Sequence, residues 1–63
     1  MDTIKSLRQS IGWTQVELAA RLGVTQSGLS RIERENLPRD LLAVRQLVSD
    51  EALRRLKDGE AAA

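Results

Sequence analysis

Five polar side chains between residues 26 and 34 have the chemistry and spacing of a surface that contacts nucleic acid. With Gln26 at zero and 100° per residue, they fall within about 140° of one helix face, and apolar Leu29 and Ile32 fall between about 200° and 300°. Amides, hydroxyls and guanidinium groups bond base edges and phosphates in the major groove of DNA. An ordinary solvated face is the alternative if this helix stands alone. The five residues are Gln26, Ser27, Ser30, Arg31 and Arg34.

The segment before this face has the signals of a second helix joined to it by a tight turn. Thr14 and Glu17 form a Thr-x-x-Glu capping box, which predicts a helix that starts after Thr14. Gly23 favours a left-handed end to that helix, and Thr25 favours a new start immediately afterwards. Two helices that cross steeply need a small residue at their contact and a special turn conformation, and Ala19 and Gly23 meet these needs.

Apolar residues at helical spacing also occur before and after these two predicted helices. Ile4, Leu7 and Ile11 predict a first helix from about Thr3 to Ile11, capped by Thr3 or Asp2 and ended by Gly12. After the third helix, which Asn36 ends, Pro38 suits the first turn of a fourth. The apolar stripe of this fourth helix consists of Leu41, Val44, Leu47 and Val48.

The region after Val48 has two interpretations. Ser49, Asp50 and Glu51 resemble a helix start, which predicts a fifth helix from Asp50 to about Asp58 that ends at Gly59. The alternative is one continuous helix from Arg39 to Asp58. The sequence therefore predicts an all-α domain of four to five helices over residues 1–58, with a flexible tail over 59–63.

The segment from Gln15 to Glu33, QVELAARLGVTQSGLSRIE, resembles the helix-turn-helix motif of the Cro and phage-repressor (XRE-type) family. Leu7-Arg8 and Gly12-Trp13-Thr14 extend the resemblance to about half of the chain. The small residue, the turn glycine, the apolar spacing and the Thr-Gln-Ser start of helix three all coincide. The resemblance implies a lambda repressor-like DNA-binding domain with its motif at about residues 15–34.

The resemblance also implies roles for individual residues. Base contacts fall to Gln26, Ser27 and Arg31, with Gln26 suited to adenine and Arg31 to guanine. Arg8 and Glu33 match a buried ion pair between helices one and three, although both side chains could instead be solvated. Contacts with the DNA backbone are assigned to Gln15, Thr25, Ser30 and Arg34. Arg39, the basic residue nearest the loop after helix three, is a further candidate for such a contact.

Several residues outside the motif have two interpretations each. Trp13 is expected in the core beside Leu18, with base stacking as the alternative. Glu17 and Arg21 are most simply a surface pair. Leu42 and Leu53 are either dimer contacts or the edge of the core. The cluster of Arg54, Arg55 and Lys57 is a solvated helix end or a second surface that reaches DNA. The short, acidic loop Glu35-Asn36-Leu37-Pro38 departs from the family, which commonly has basic residues there.

Composition narrows the function classes. The chain has no Cys and no His, no glycine-rich phosphate loop and no convincing pair of carboxylates, so we expect neither an enzyme nor a metal site nor a cofactor. The net charge of +1 does not by itself indicate a nucleic-acid partner. No secretory signal or membrane-spanning run appears, and we expect a soluble cytoplasmic protein that is associated with the nucleoid when bound to DNA.

These observations predict a sequence-specific transcriptional regulator, most simply a repressor that occupies a promoter. We expect a homodimer on a pseudo-palindromic operator in double-stranded DNA, with helix three in the major groove. One alternative is an antitoxin-like or accessory protein that also binds a protein partner through its C-terminal helices. The other is a protein-interaction module that does not bind DNA.

Overall fold

The computed structural model describes residues 3–62 of the chain, with side chains described for residues 3–59. This part of the chain consists of four helices and contains no strand: α1 (Ile4–Ser10), α2 (Gln15–Leu22), α3 (Gln26–Glu35) and α4 (Pro38–Ala62). The predicted all-α class is confirmed, with four helices.

Helix α1 has a reciprocal cap at its start and a glycine at its end. The Ser6 backbone N–H donates to Thr3 Oγ1 at 3.0 Å, and the Thr3 N–H donates to Ser6 Oγ at 2.9 Å. Thr3 is thus the cap, and Asp2, the alternative, lies outside the described residues. Beyond Ser10, Gly12 takes a φ of 81°, and the Trp13 N–H donates to the Arg8 carbonyl at 3.1 Å, which satisfies a terminal carbonyl group.

Helix α2 begins and ends as the sequence predicts. The Thr14 hydroxyl accepts from the Glu17 N–H at 3.2 Å, and the Glu17 carboxylate accepts in return from the Thr14 N–H at 3.2 Å. At the other end Gly23 has a φ of 73°, and the Val24 N–H donates to the Ala19 carbonyl at 3.0 Å. Both boundaries are local in origin, because the residues that form them lie within a few positions of one another.

Helix α3 follows after a turn of three residues, from Gly23 to Thr25. The Thr25 hydroxyl accepts from the Gly28 N–H at 3.0 Å and caps the helix. Asn36 ends it in the left-handed conformation, with a φ of 50°. Asn36 therefore has the helix-ending role that the sequence predicts.

Helix α4 is one continuous helix, so the prediction of a fifth helix from Asp50 is wrong and the alternative is confirmed. Ser49 does not interrupt it: one side-chain pair four residues apart spans the proposed break, and a second pair follows directly after it. Gln46 Nε2 donates to Asp50 Oδ1 at 3.1 Å, and Arg55 Nε donates to Glu51 Oε1 at 3.2 Å.

The predicted end of this helix at Gly59 is also wrong, because the helix continues through Gly59 to Ala62. A single glycine costs a helix only about 1 kcal/mol, and the alanines that follow are the strongest helix formers. The helix thus includes residues 59–62 of the expected flexible tail, and Ala63 lies outside the described residues.

A small core joins the four helices. Helix α1 packs against α4 and α3, and α2 packs against α3. Leu7, Leu22, Ile32, Leu41, Leu47 and Val48 pack around the core as partly buried residues. Every residue from Ala52 to Gly59 is exposed, so the second half of α4 extends beyond the core. The buried apolar residues are Ile4, Ile11, Trp13, Leu18, Ala19, Leu29 and Val44.

Candidate nucleic-acid interface

The polar face predicted for α3 is present at the surface. Gln26, Ser27, Arg31 and Arg34 are exposed, and Ser30 is half-buried. On the opposite side Leu29 is fully buried, and Ile32 packs against the core. The helix therefore presents amide, hydroxyl and guanidinium groups outward while its apolar side fixes its position in the domain.

A buried ion pair anchors α3 to α1. Arg8 Nε donates to Glu33 Oε2 at 2.7 Å, and the two side chains are 11% and 7% exposed. Arg8 Nη1 also donates to the Trp13 carbonyl at 2.9 Å. The guanidinium thus joins α1, the α1–α2 turn and α3, and the Glu33 charge is neutralised inside the domain. The structure contains the ion pair that the resemblance implies, and the solvated alternative is wrong.

Gln15 connects this ion pair to the surface of α3. Its Nε2 donates to Glu33 Oε1 at 2.9 Å, and its Oε1 accepts from Gln26 Nε2 at 3.5 Å. The second distance is at the outer limit of a hydrogen bond. Glu33 and Gln26 lie seven residues apart, two helical turns along one line of α3, so the start of α2 can touch both. We call Arg8, Glu33, Gln15 and Gln26 the Arg8–Gln26 hydrogen-bond network.

The other residues predicted to contact the DNA backbone lie at helix starts and on the exposed side of α3. Thr25 is exposed, and its hydroxyl keeps its hydrogen for a further acceptor while it caps α3. Arg34 is exposed on α3, and Arg39 is exposed in the first turn of α4. These cations follow one another at the C-terminal end of α3 and the start of α4.

Arg31 has a neighbour that the sequence reasoning missed. Its Nε donates to Glu35 Oε1 at 3.2 Å, and the two side chains are 75% and 46% exposed. The i,i+4 spacing was the signal that could have revealed the pair. Exposed pairs of this type contribute at most about 1 kcal/mol, so Glu35 orients Arg31 loosely and does not hold it against a stronger partner.

Trp13 is 5% exposed, which places it in the core and excludes the base-stacking alternative. The Arg21 guanidinium lies over its ring at 4.3 Å from the centroid. Arg21 Nη1 also donates to the backbone carbonyl of Glu17 at 3.1 Å. The predicted surface pair between the Glu17 and Arg21 side chains is replaced by these two contacts. The sequence spacing predicted the Glu17 carboxylate as the partner of Arg21, because spacing alone does not show that the Trp13 ring lies beneath the guanidinium group.

Asn36 has a second role that local reasoning could not reveal. Its Oδ1 accepts from the backbone N–H of Ile4 at 2.9 Å, across a separation of 32 residues. The residue that ends α3 therefore also satisfies a free amide group at the start of α1. This bond adds to the Arg8–Glu33 pair in fixing α1 against α3.

The exposed side of α4 contains an apolar face. Leu42, Leu53 and Leu56 are 67%, 58% and 64% exposed, so the first two are not the edge of the core. At 100° per residue all three lie within about 60° of arc, opposite the buried Val44. We call them the three-leucine face. Leu56 is a member that the sequence reasoning missed, although its spacing of three from Leu53 was a signal.

The basic residues of the second half of α4 are partly engaged within the helix. Arg54 Nη2 lies 3.6 Å from Glu51 Oε2, and Arg55 Nε lies 3.2 Å from Glu51 Oε1. Lys57 is exposed. Within residues 3–62, no helix is long and apolar enough to cross a membrane. No group of acidic residues in the described part of the chain has the geometry to hold a metal ion.

Comparison with protein families matches residues 4–46 to the helix-turn-helix family, more than half of the chain. The match continues past Leu37 into α4, further than the sequence resemblance suggested. Comparisons with curated proteins and with solved structures returned no match. The family assignment agrees with the geometry of α2, the Gly23 turn and α3. The chain therefore belongs to the helix-turn-helix family of Cro-type and phage-repressor domains, and it is a DNA-binding domain.

Proposed function

We propose that this protein is a sequence-specific regulator of transcription, and most simply a repressor, that inserts α3 into the major groove of double-stranded DNA. The observation that carries the proposal is the exposed polar face of α3. The buried Arg8–Glu33 ion pair fixes the position of this face against α1. Such a repressor acts by occupying a promoter. We place this activity in the cytoplasm.

The proposed base contacts follow from side-chain chemistry. Arg31 has the bidentate donors that match guanine, and Gln26 has the paired acceptor and donor that match adenine. Ser27 lies next to Gln26 on the exposed face and bonds a neighbouring base edge. On binding DNA, Arg31 leaves Glu35 and bonds the base instead, because the exposed Arg31–Glu35 pair is weak.

Contacts with the DNA backbone would set the register of α3 in the groove. Gln15 Nε2 has two hydrogens and donates one to Glu33, so the other is available to a phosphate oxygen. The N-terminus of α2 adds its own attraction for an anion at the same place. Thr25, Ser30, Arg34 and Arg39 supply further hydroxyl and guanidinium donors around the edge of the face.

Charge reversal on α3 tests this proposal. The probe is a duplex with the sequence that the wild-type protein enriches from a random pool, and binding is followed by fluorescence anisotropy. We expect Arg31→Glu to abolish binding. Arg54→Glu, the same change at an exposed arginine of α4, should retain most of it. Equal losses in the two variants would show that binding depends only on net charge, and would contradict the role of α3.

We further propose that the protein binds its operator as a homodimer through the three-leucine face. Single exposed leucines are ordinary, but three on one face of a projecting helix form a patch typical of an interaction surface. A second copy is the favoured occupant, because Leu42 and Leu56 lie two heptads apart, about 21 Å along the helix, and two such helices can pair these leucines about a two-fold axis. A two-fold dimer matches a pseudo-palindromic site.

Sedimentation of the purified protein, alone and on its enriched duplex, tests the dimer. We expect wild-type dimers and a monomeric Leu53→Glu variant with unchanged helix content, because Leu53 is exposed. Ala43→Glu adds the same charge to an exposed position of α4 outside the face and should leave the dimer intact. A wild-type protein that stays monomeric both free and on DNA would contradict the dimer.

That monomeric result would favour the second candidate, an antitoxin-like or accessory protein that uses the three-leucine face for a different protein. The exposure of these leucines is the observation in its favour. The two candidates share DNA binding by α3 and differ in what covers α4. Arg31→Glu would then remove DNA binding and leave the partner bound, whereas Leu53→Glu would do the reverse.

A further inference from the structure

The Arg8–Gln26 hydrogen-bond network has a fixed order of donors and acceptors. The buried Glu33 carboxylate sets this order. Glu33 is largely buried, and its two oxygens accept from Arg8 at 2.7 Å and from Gln15 at 2.9 Å. An ionised carboxylate accepts hydrogen bonds and cannot donate them. Gln15 must therefore turn its NH2 group, and not its carbonyl, toward Glu33.

The orientation of Gln15 determines the orientation of Gln26. With its NH2 group on Glu33, Gln15 presents its Oε1 to the surface, where it lies 3.5 Å from Gln26 Nε2. If Gln15 were reversed, its carbonyl oxygen would face a carboxylate oxygen in a site with little water, where two acceptors repel each other. Gln26 therefore has one N–H directed to Gln15, and its Oε1 and second N–H remain for the DNA.

An amide with one free acceptor and one free donor matches adenine and not guanine. Adenine presents a donor at N6 and an acceptor at N7, whereas guanine presents two acceptors at O6 and N7. A glutamine whose NH2 group is wholly free can turn both hydrogens toward guanine. A glutamine with one hydrogen already engaged cannot, and its carbonyl oxygen would repel guanine O6.

We propose that Glu33 is a positioning residue for base selection, because it sets through Gln15 which end of the Gln26 amide faces the DNA. The inference rests on the proposed function and names the base that α3 selects at this position. Arg8 supports the arrangement because it bonds Glu33 Oε2 at 2.7 Å and holds the carboxylate in place. A purely structural Glu33 would influence affinity for all DNA sequences equally, whereas a positioning Glu33 influences the preference between two bases.

Gln15→Lys is the most direct test, because it leaves the Arg8–Glu33 pair intact. Lysine at this position still donates to Glu33 and attracts phosphate, but it offers no acceptor to Gln26. The Gln26 carbonyl then turns toward the ammonium group, and its NH2 group turns toward the DNA. The probe is the duplex enriched by the wild-type protein, with A·T or G·C at the base pair whose selection Gln26→Ala removes.

We expect the wild-type protein to prefer A·T over G·C at this pair by roughly tenfold to a hundredfold, the discrimination of one good bidentate contact. In Gln15→Lys this preference should fall to about one or reverse toward guanine. The base preference at the Arg31 position is the internal control and should not change. Adding Gln15→Lys to Gln26→Ala should cause no further change in discrimination at this base pair, because the side chain through which Gln15 acts is then absent.

Glu33→Gln provides a second variant, measured only after its thermal unfolding shows that it remains folded. Its neutral amide can accept from or donate to Gln15, so the A·T preference should weaken at the Gln26 pair alone. An unchanged preference in Gln15→Lys overturns the inference. So does a motif with no base pair that depends on Gln26, although the proposed function then stands. A wild-type protein that enriches no motif overturns the proposed function and the inference together.

Discussion

The first three helices and the second half of α4 differ in how their polar groups are satisfied. In the first three helices, contacts reach across the sequence: Arg8 bonds Glu33, Gln15 bonds Glu33, and Asn36 bonds Ile4. In the second half of α4 the described pairs lie three or four residues apart within one exposed helix. The comparison indicates that contacts between distant residues fix the exposed face of α3, whereas Leu53 and Leu56 lie on a stretch of helix whose residues are all exposed.

The strongest test of this comparison is the removal of one arginine from each region. Arg8→Ala leaves the Glu33 carboxylate buried without its partner, and we expect a loss of about 3–5 kcal/mol in the free energy of unfolding. Arg54→Ala removes an exposed arginine whose partner Glu51 keeps Arg55, so we expect a change below about 1 kcal/mol. Urea unfolding followed by circular dichroism measures both. Similar losses in the two variants would show that the regions do not differ.

A smaller loss of stability is expected from a larger side chain where α2 packs in the core. Ala19 is 3% exposed, and Ala19→Leu should cost about 1–3 kcal/mol through overpacking. Ala20→Leu places the same side chain on the next residue, which is exposed, and should change stability by no more than about 0.5 kcal/mol. Thermal unfolding of the two variants provides the comparison. If Ala19→Leu melts like the wild-type protein, the close packing of α2 in the core is refuted.

The smallest effects are expected at two glycines, with opposite signs. Gly23 has a φ of 73° and no neighbour within 4 Å of an added Cβ, so Gly23→Ala should lose about 1–2 kcal/mol from backbone strain alone. Gly59 lies inside α4, so Gly59→Ala should gain up to about 1 kcal/mol of helix stability. Denaturant midpoints of the two variants should shift in opposite directions. A destabilised Gly59→Ala variant would argue against a helix that continues past Gly59.

The predictions made from the sequence succeeded where the determinants were local. Thr14 with Glu17, Gly23, Thr25 and Asn36 mark helix ends through contacts within a few residues, and all lie where the sequence predicts. The start at Ser49 was wrong because the same local signal occurs inside a long helix, where side-chain pairs and continued helix formers outweigh it.

The parts of the candidate site that could not be predicted depend on contacts between distant residues. No local pattern reveals that Asn36 bonds Ile4 or that Gln15 donates to the same carboxylate as Arg8. The amphipathic spacing of α3 did predict the exposed side chains of its polar face, apart from Ser30, which is half-buried. It did not predict the orientation of the Gln26 amide, because that depends on a hydrogen-bond direction set two helical turns away.

Enrichment of a random double-stranded DNA pool at near-physiological salt tests sequence-specific DNA recognition by α3. The wild-type protein should recover a pseudo-palindromic motif with half-sites about one helical turn apart. A double variant, Gln26→Ala with Arg31→Ala, should lose that motif, because both changes remove exposed side chains of α3 and leave its core contacts intact. Recovery of no motif, with any binding lost on a modest rise in salt, would mean that the interaction is only electrostatic, and would contradict sequence-specific recognition by α3.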